Sequence, residues 1–138
     1  MRLLTAYEAL LRGEVEPIAA LLAPDVEWSE SIAGRPTRAL RGRDEVEALL
    51  RARCRSAAPI PLRGLAVTRS SITAEFDDPW WDERPRWRRR LDSALGATYT
   101  QTLTAGELVE RIESAQRFVT RTPAASDDGA LLAMMLSR

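Results

Sequence analysis

One carboxylate stands where proton-transfer chemistry could use it. Residues 25–30 read DVEWSE, with apolar and polar side chains alternating. Alternate residues of a strand share a face, so Val26, Trp28 and Glu30 point one way and Glu27 and Ser29 the other. An acid beside an indole in an apolar mouth loses solvation. That raises its pKa toward working pH and suits a general base or acid. The bland alternative is a strand-end Glu in water or paired with Arg35 or Arg38. Composition excludes much other chemistry. The 138 residues hold no His, which removes Ser–His and Cys–His catalysis and His-based metal sites. All 20 basic residues are Arg, so Schiff-base and P-loop lysine chemistry is absent too. We read the Arg bias as high-GC codon usage in a bacterial source. The lone Cys54 can form neither an intrachain disulfide nor a thiolate cluster. In its context, ALLRARCRSA, it reads as a helix residue acting as a small hydrophobe.

Two short helices must position that strand. Leu3, Leu4, Tyr7, Leu10 and Leu11 form one helical stripe. Gly13 ends the helix, because glycine takes the left-handed conformation at no steric cost. Val15, Ile18, Leu21 and Leu22 give a second stripe, with Pro17 in its first turn, where a missing N–H costs nothing. Pro24 closes the unit. After Glu30, SIAGRPTRALRGR reads as a loop. A third helix is predicted over Asp44 to Arg53, with Val46, Leu49 and Leu50 on its buried face. Acids at its start and Arg at its end suit the macrodipole.

From Pro61 the period changes to two. Leu65 and Val67, then Ile72, Ala74 and Phe76, give two strands reversing near 69–71. Residues 77–95 carry three of the four Trp and two Pro. Trp87, Leu91 and Leu95 are four apart and suggest a short helix from Arg84. Trp80 and Trp81 could line or lid a pocket or anchor a dimer. Asp77 and Asp78 cap the turn before Pro79. The run RPRWRRR is surrounded by acids, so it reads as a solvated, salt-bridged face rather than a nucleic-acid site. The stretch 97–114 reads as a hairpin turning near Ala105–Gly106. A two-residue loop pairs Leu103 with Leu108, Gln101 with Glu110 and Tyr99 with Ile112. A longer loop with a bulge would undo the Gln101–Glu110 pair.

The formal net charge is zero, so no overall field recruits nucleic acid or membrane. No apolar run approaches the roughly 20 residues of a membrane span, and the first residues do not read as a secretory signal. A cytoplasmic protein is expected. The division is a domain over 1–118 and a tail over 119–138. The tail's apolar segment, Ala130 to Leu136, must pack on the domain or on a partner.

The order of these elements resembles the nuclear transport factor 2-like superfamily, in particular its SnoaL-like polyketide cyclase and ketosteroid isomerase-like branch. AYEALLRGEVEPIAALLAPDVEW at 6–28, RGRDEVEALL at 41–50 and TQTLTAGELVERIES at 100–114 carry the likeness, which covers residues 2–114. It implies an α+β fold: a cone-shaped, bent antiparallel sheet wrapped around N-terminal helices and enclosing a pocket. It also implies a homodimer through the outer sheet face. The branch's general base lies five residues after the Asp that opens the first strand, which counts from Asp25 to Glu30. Its oxyanion-hole Tyr falls one place from Tyr7. Its late-strand Asp falls near Tyr99 or Gln101.

The reading is a SnoaL-like small-molecule domain. If an enzyme, it is a cofactor-independent isomerase, cyclase or lyase acting on a small apolar carbonyl compound. Glu30 would move the proton, and Tyr99, Gln101 or Tyr7 would hydrogen-bond the developing enolate. Tyr7, Trp28, Gln101, Glu110 and Trp80 would line the pocket. No metal is expected. The alternatives are a non-catalytic ligand-binding domain, or a structural homodimer whose pocket is filled by its own Trp and Leu side chains. Fold does not decide among them.

Overall fold

A computed structural model describes residues 2–54, 60–82 and 84–118. The tail over 119–138, with its apolar segment, lies outside the described residues. The order of elements is α1 (Arg2–Leu11), α2 (Glu16–Ala19), β1 (Leu22–Ile32), β2 (Arg35–Arg41), α3 (Arg43–Arg53), β3 (Leu62–Val67), β4 (Ser71–Phe76), α4 (Arg86–Ala94), β5 (Ala97–Ala105) and β6 (Val109–Phe118). The six strands form one sheet in the order β2-β1-β6-β5-β4-β3. This is the α+β architecture expected, with one difference of direction. β1 pairs with β6 in parallel, so the sheet is mixed rather than wholly antiparallel. A parallel neighbour needs a long crossover, and here the whole chain between the two strands supplies it.

The N-terminal elements form where their stripes predict. Tyr7, Leu10 and Leu11 of α1 are buried, and so are Val15 and Ile18 around α2. Gly13 has φ 87°. Its N–H donates to the Leu10 carbonyl at 2.9 Å, and the Glu14 N–H donates to the Ala9 carbonyl at 2.9 Å. That pair of bonds is a Schellman motif, which satisfies carbonyls the helix end would otherwise orphan. In α3, Val46 and Leu50 are fully buried and Leu49 nearly so. Together with the inner faces of β1, β4, β5 and β6 these side chains make one core. Bulges at Glu30/Ser31 and Thr104/Ala105 interrupt the ladders, as strands that must bend require.

Two further expectations need correction. Residues 35–41, read as loop, form β2, an edge strand antiparallel to β1. The turn between them has Ala33 at φ 52° and Gly34 at φ 80°. Two positive φ values are what a two-residue hairpin demands, and Ala gives no sequence signal for them. Pro36 is tolerated because the strand is an edge.

The second correction concerns the late hairpin. Its register is Leu103↔Ile112, Gln101↔Ser114 and Tyr99↔Gln116. Residues 106–108 lie between the strands, and this later, longer turn and the one-residue bulge together shift every pair by four residues from the two-residue expectation. Glu110 therefore does not oppose Gln101 and is exposed. The short helix expected from the 87/91/95 spacing is present as α4, and its apolar stripe faces outward: Trp87 is 65% exposed and Leu91 49%. The buried residue of α4 is Asp92.

Candidate functional site

β1 carries Glu30 to the mouth of the core with its side chain turned inward. The Trp28 indole N–H donates to Glu30 Oε2 at 2.8 Å. Trp28 is fully buried, and the Glu30 side chain keeps 13% of its surface. Strand parity thus delivers the acid beside the indole. The bulge at Glu30/Ser31 follows at once, where β1 meets β2. Arg38 of β2 is the cross-strand partner of Glu30, with an Nη1–Oε2 separation of 3.8 Å.

Burial pushes the Glu30 carboxyl above its ordinary value of 4.5. The Trp28 hydrogen bond and the Arg38 and Arg53 charges oppose that shift, and the negative charge of Asp82 adds to it. Desolvation, which disfavours the charged form, is the largest of these effects and sets the direction. A cavity of about 260 Å³ opens at this carboxyl, lined also by Thr37, Arg38, Trp81, Asp82, Arg84 and Gln116. Ligand pockets for drug-sized molecules run from roughly 300 to 1,000 Å³, so this one suits a compact ligand.

The segment between β4 and β5 builds the far wall. Trp80 and Trp81 bridge the core in a chain of edge-to-face contacts. Trp28 meets Trp80 at 6.1 Å, Trp80 meets Trp81 at 5.7 Å, and Trp81 meets Phe76 at 5.6 Å. Such contacts add to the area these rings bury. The Trp80 indole N–H is buried and has no hydrogen-bond partner among the described residues. Below the rings sits an ionic knot. Arg84 Nη2 reaches Asp82 Oδ2 at 2.7 Å, and Arg84 Nη1 reaches Asp92 Oδ2 at 2.9 Å. Arg84 also donates to the Gln116 side-chain oxygen, while Gln116 Nε2 donates to Asp92 Oδ2 at 2.9 Å. Burial pushes the Asp82 carboxyl up, but its bonds to Arg84 outweigh this and hold it below its ordinary value of 3.8. The cavity thus has two acids displaced in opposite senses, a pattern that separates acid–base roles.

The other expected site residues do not reach this cavity. The Tyr7 hydroxyl donates to Gln101 Oε1 at 2.8 Å, and Gln101 Nε2 donates to Ser114 Oγ at 2.9 Å. That chain is fully buried, and burial holds the Tyr7 phenol well above its ordinary range, with Cys54 adding to the effect. The Tyr99 hydroxyl donates to the Arg89 carbonyl at 3.2 Å, which ties it to α4 rather than to Glu30. Trp80 stacks behind Trp81, and Trp81 is the ring on the cavity wall. Glu110 lies elsewhere altogether. With Asp25, Glu27 and Glu107 it borders an open hollow of about 780 Å³ by the 106–108 turn. That hollow is larger, but Glu30 is not on its wall. Burial pushes the Cys54 thiol up to about 12, as for an inert core residue.

Arg84, Asp82, Asp92 and Gln116 had no place in the site expected from sequence. One signal for Gln116 was available: alternation from Ile112 through Ser114 puts it on the inner face. Asp82 and Arg84 are neighbours in sequence, but nothing local shows that their knot closes on β6. Among the described residues no group of three or more His, Cys, Asp or Glu could hold a metal ion, and no helix is long and apolar enough to cross a membrane.

No protein-family model matches the sequence, and no curated protein matches it. Solved structures do. A nuclear transport factor 2-like protein of unknown function from Mesorhizobium loti superposes with a TM-score of 0.59 at 8% identity, over 83% of this chain and 87% of that one. One from Cytophaga hutchinsonii gives 0.55 at 13% identity, over 83% and 96%. A steroid delta-isomerase from Pseudomonas aeruginosa gives 0.53 at 13% identity, over 99% and 93%. Identities this low speak for architecture and not for chemistry. With helices α1 to α3 against one curved, mixed sheet, the chain has the nuclear transport factor 2-like fold.

Proposed function

We propose that this chain is a small-molecule domain in which Glu30 moves a proton, without a cofactor, on a compact carbonyl compound. One observation carries the reading: an inward acid with a raised pKa, fixed by the Trp28 indole, at the wall of a 260 Å³ cavity. The ionised carboxylate would take a proton from the carbon next to the carbonyl. The electron pair left behind would pass to the carbonyl oxygen as an enolate. Arg38 or Arg84, both on the cavity wall, would face that oxygen with positive charge. Glu30 would then return the proton to the same carbon or to a conjugated one, and the second outcome is an isomerisation. Tyr7, Gln101 and Tyr99 would leave the electrophilic role to these Arg side chains, since none of the three lines the cavity. Charges on several sides of the cavity favour a ligand with polar groups over an apolar one.

A second reading has its own support. Trp28, Trp80, Trp81 and Phe76 fill much of the space that a deeper pocket would occupy. A domain of that kind would bind a ligand at its mouth or serve a structural role, and would turn nothing over.

The test is proton exchange. The protein is incubated in D₂O with cyclic enones, 2-oxo acids and 3-oxo acids, and deuterium at the carbon next to the carbonyl is followed by NMR. The expected result is exchange of at least one compound above the buffer rate, falling roughly a hundredfold or more in Glu30→Gln. Exchange that survives Glu30→Gln rejects the acid. A compound that shifts the Trp28 indole resonance without exchanging supports the binding domain instead.

A further inference from the structure

Helix α4 is inside-out. Asp92 faces inward to Arg84 and Gln116, while Trp87 and Leu91, four residues apart, share one exposed face. Residues four apart lie one above the other on a helix, so this is a continuous apolar ridge. Arg86, Arg88 and Arg90 flank it and are also exposed. We infer that the ridge is the seat of this chain's own C-terminal segment, Ala130 to Leu136.

Three observations name that occupant. The first is where the described chain ends. Phe118, the last residue of β6, pairs with Ala97, which follows directly on the end of α4 at Ala94. Phe118 itself therefore lies beside the C-terminal end of the helix. The second is reach. Eleven residues separate Phe118 from Ala130, and a flexible linker of that length spans on average roughly 20 Å. A nine-residue helix is about 14 Å long, so the whole ridge is within range. The third is complementarity. The segment reads ALLAMML, apolar throughout, and Asp127 and Asp128 stand just before it. That acidic pair, one glycine ahead of the apolar run, matches a Trp–Leu ridge edged by Arg. Methionine and leucine suit the irregular surface beside an indole.

The consequence reaches the cavity. The inner side of α4 holds Arg84 and Gln116 through Asp92, and both line the pocket. A segment seated on the outer side would clamp the far wall in place. The inference does not depend on Glu30 acting as a base.

The test is disulfide scanning in the full chain. Leu91→Cys is paired in turn with Leu131→Cys, Leu132→Cys, Met134→Cys and Met135→Cys, under mild oxidation. Leu91 is exposed, so its substitution leaves the core intact, and Cys54 is buried. Glu107→Cys, with each partner, is the control at the far turn. The expected result is a cross-linked monomer for at least one Leu91 pair and none for the controls. As a second readout, deleting residues 130–138 should raise amide hydrogen exchange over 86–94 by tenfold or more. Cross-linked dimers alone would show a second copy supplying the segment, and would overturn the intrachain seat. No cross-link, or unchanged exchange after the deletion, overturns it as well.

Discussion

The two ends of the core were built by opposite rules. On the β1 side, α1 and α2 turn apolar stripes inward, and Tyr7, Leu10 and Ile18 lose almost all their surface. On the far side, α4 turns its apolar stripe outward and buries a carboxylate. The first wall is held by area removed from water, which is non-directional and tolerant. The second is held by an ionic knot, which is directional and demands every partner. A wall of the first kind makes a rigid frame. One of the second kind can be released by breaking a few bonds, and it is the wall that borders Glu30's cavity.

That contrast can be broken at either end. Leu10→Ala removes a fully buried side chain from the frame and should cost about 3 kcal/mol, read by urea denaturation. Arg84→Ala should cost less, about 2 kcal/mol, because Arg84 keeps a quarter of its surface. Its loss leaves Asp92 buried without a cation, so adding Asp92→Asn should recover part of the stability. Recovery would mark the knot as electrostatic. A double variant no better than Arg84→Ala would mean that packing holds this wall.

Glu30 sharpens the comparison through pH. Its folded pKa is raised above 4.5, so its contribution to stability is fully present below 4.5 and is lost as pH rises through the folded value. Asp82 runs the other way. Its folded pKa is held below 3.8, so its contribution is present above 3.8 and is lost as pH falls through the folded value. Glu30→Gln keeps an oxygen for the Trp28 indole and has no charge to bury. It should raise the melting temperature at pH 7, with the gain shrinking as pH falls through the folded value toward 4.5 and gone below it. A gain that persists at low pH would have another cause. The smallest effect is at the β1–β2 turn. Ala33→Asn suits the positive φ and should add about 1 kcal/mol to stability.

The frame was legible in the sequence because its signals are local. A 3.6-residue stripe, a Gly at the helix end and strict alternation along 25–30 each fix a structure within a few residues. So α1, α3 and the inward face of Glu30 could be read directly. The turn at Ala33 was not legible, since its residue type hides its conformation. The late hairpin failed for a related reason. A three-residue turn and a one-residue bulge moved Glu110 off the face and put Ser114 and Gln116 opposite Gln101 and Tyr99. Helix α4 misled most. Periodicity showed that Trp87 and Leu91 share a face but gave no direction for it. That direction was set by Arg84 and Gln116, the latter distant in sequence.

The central claim is that desolvation holds Glu30's proton more tightly than water would. A ¹³C-detected titration of the Glu30 carboxyl in the intact protein measures this directly. The account predicts a midpoint above 4.5 that falls when Glu30 is opened to solvent by Trp81→Ala. A midpoint at or below 4.5 would make Glu30 an ordinary partner of Arg38 and contradict the account.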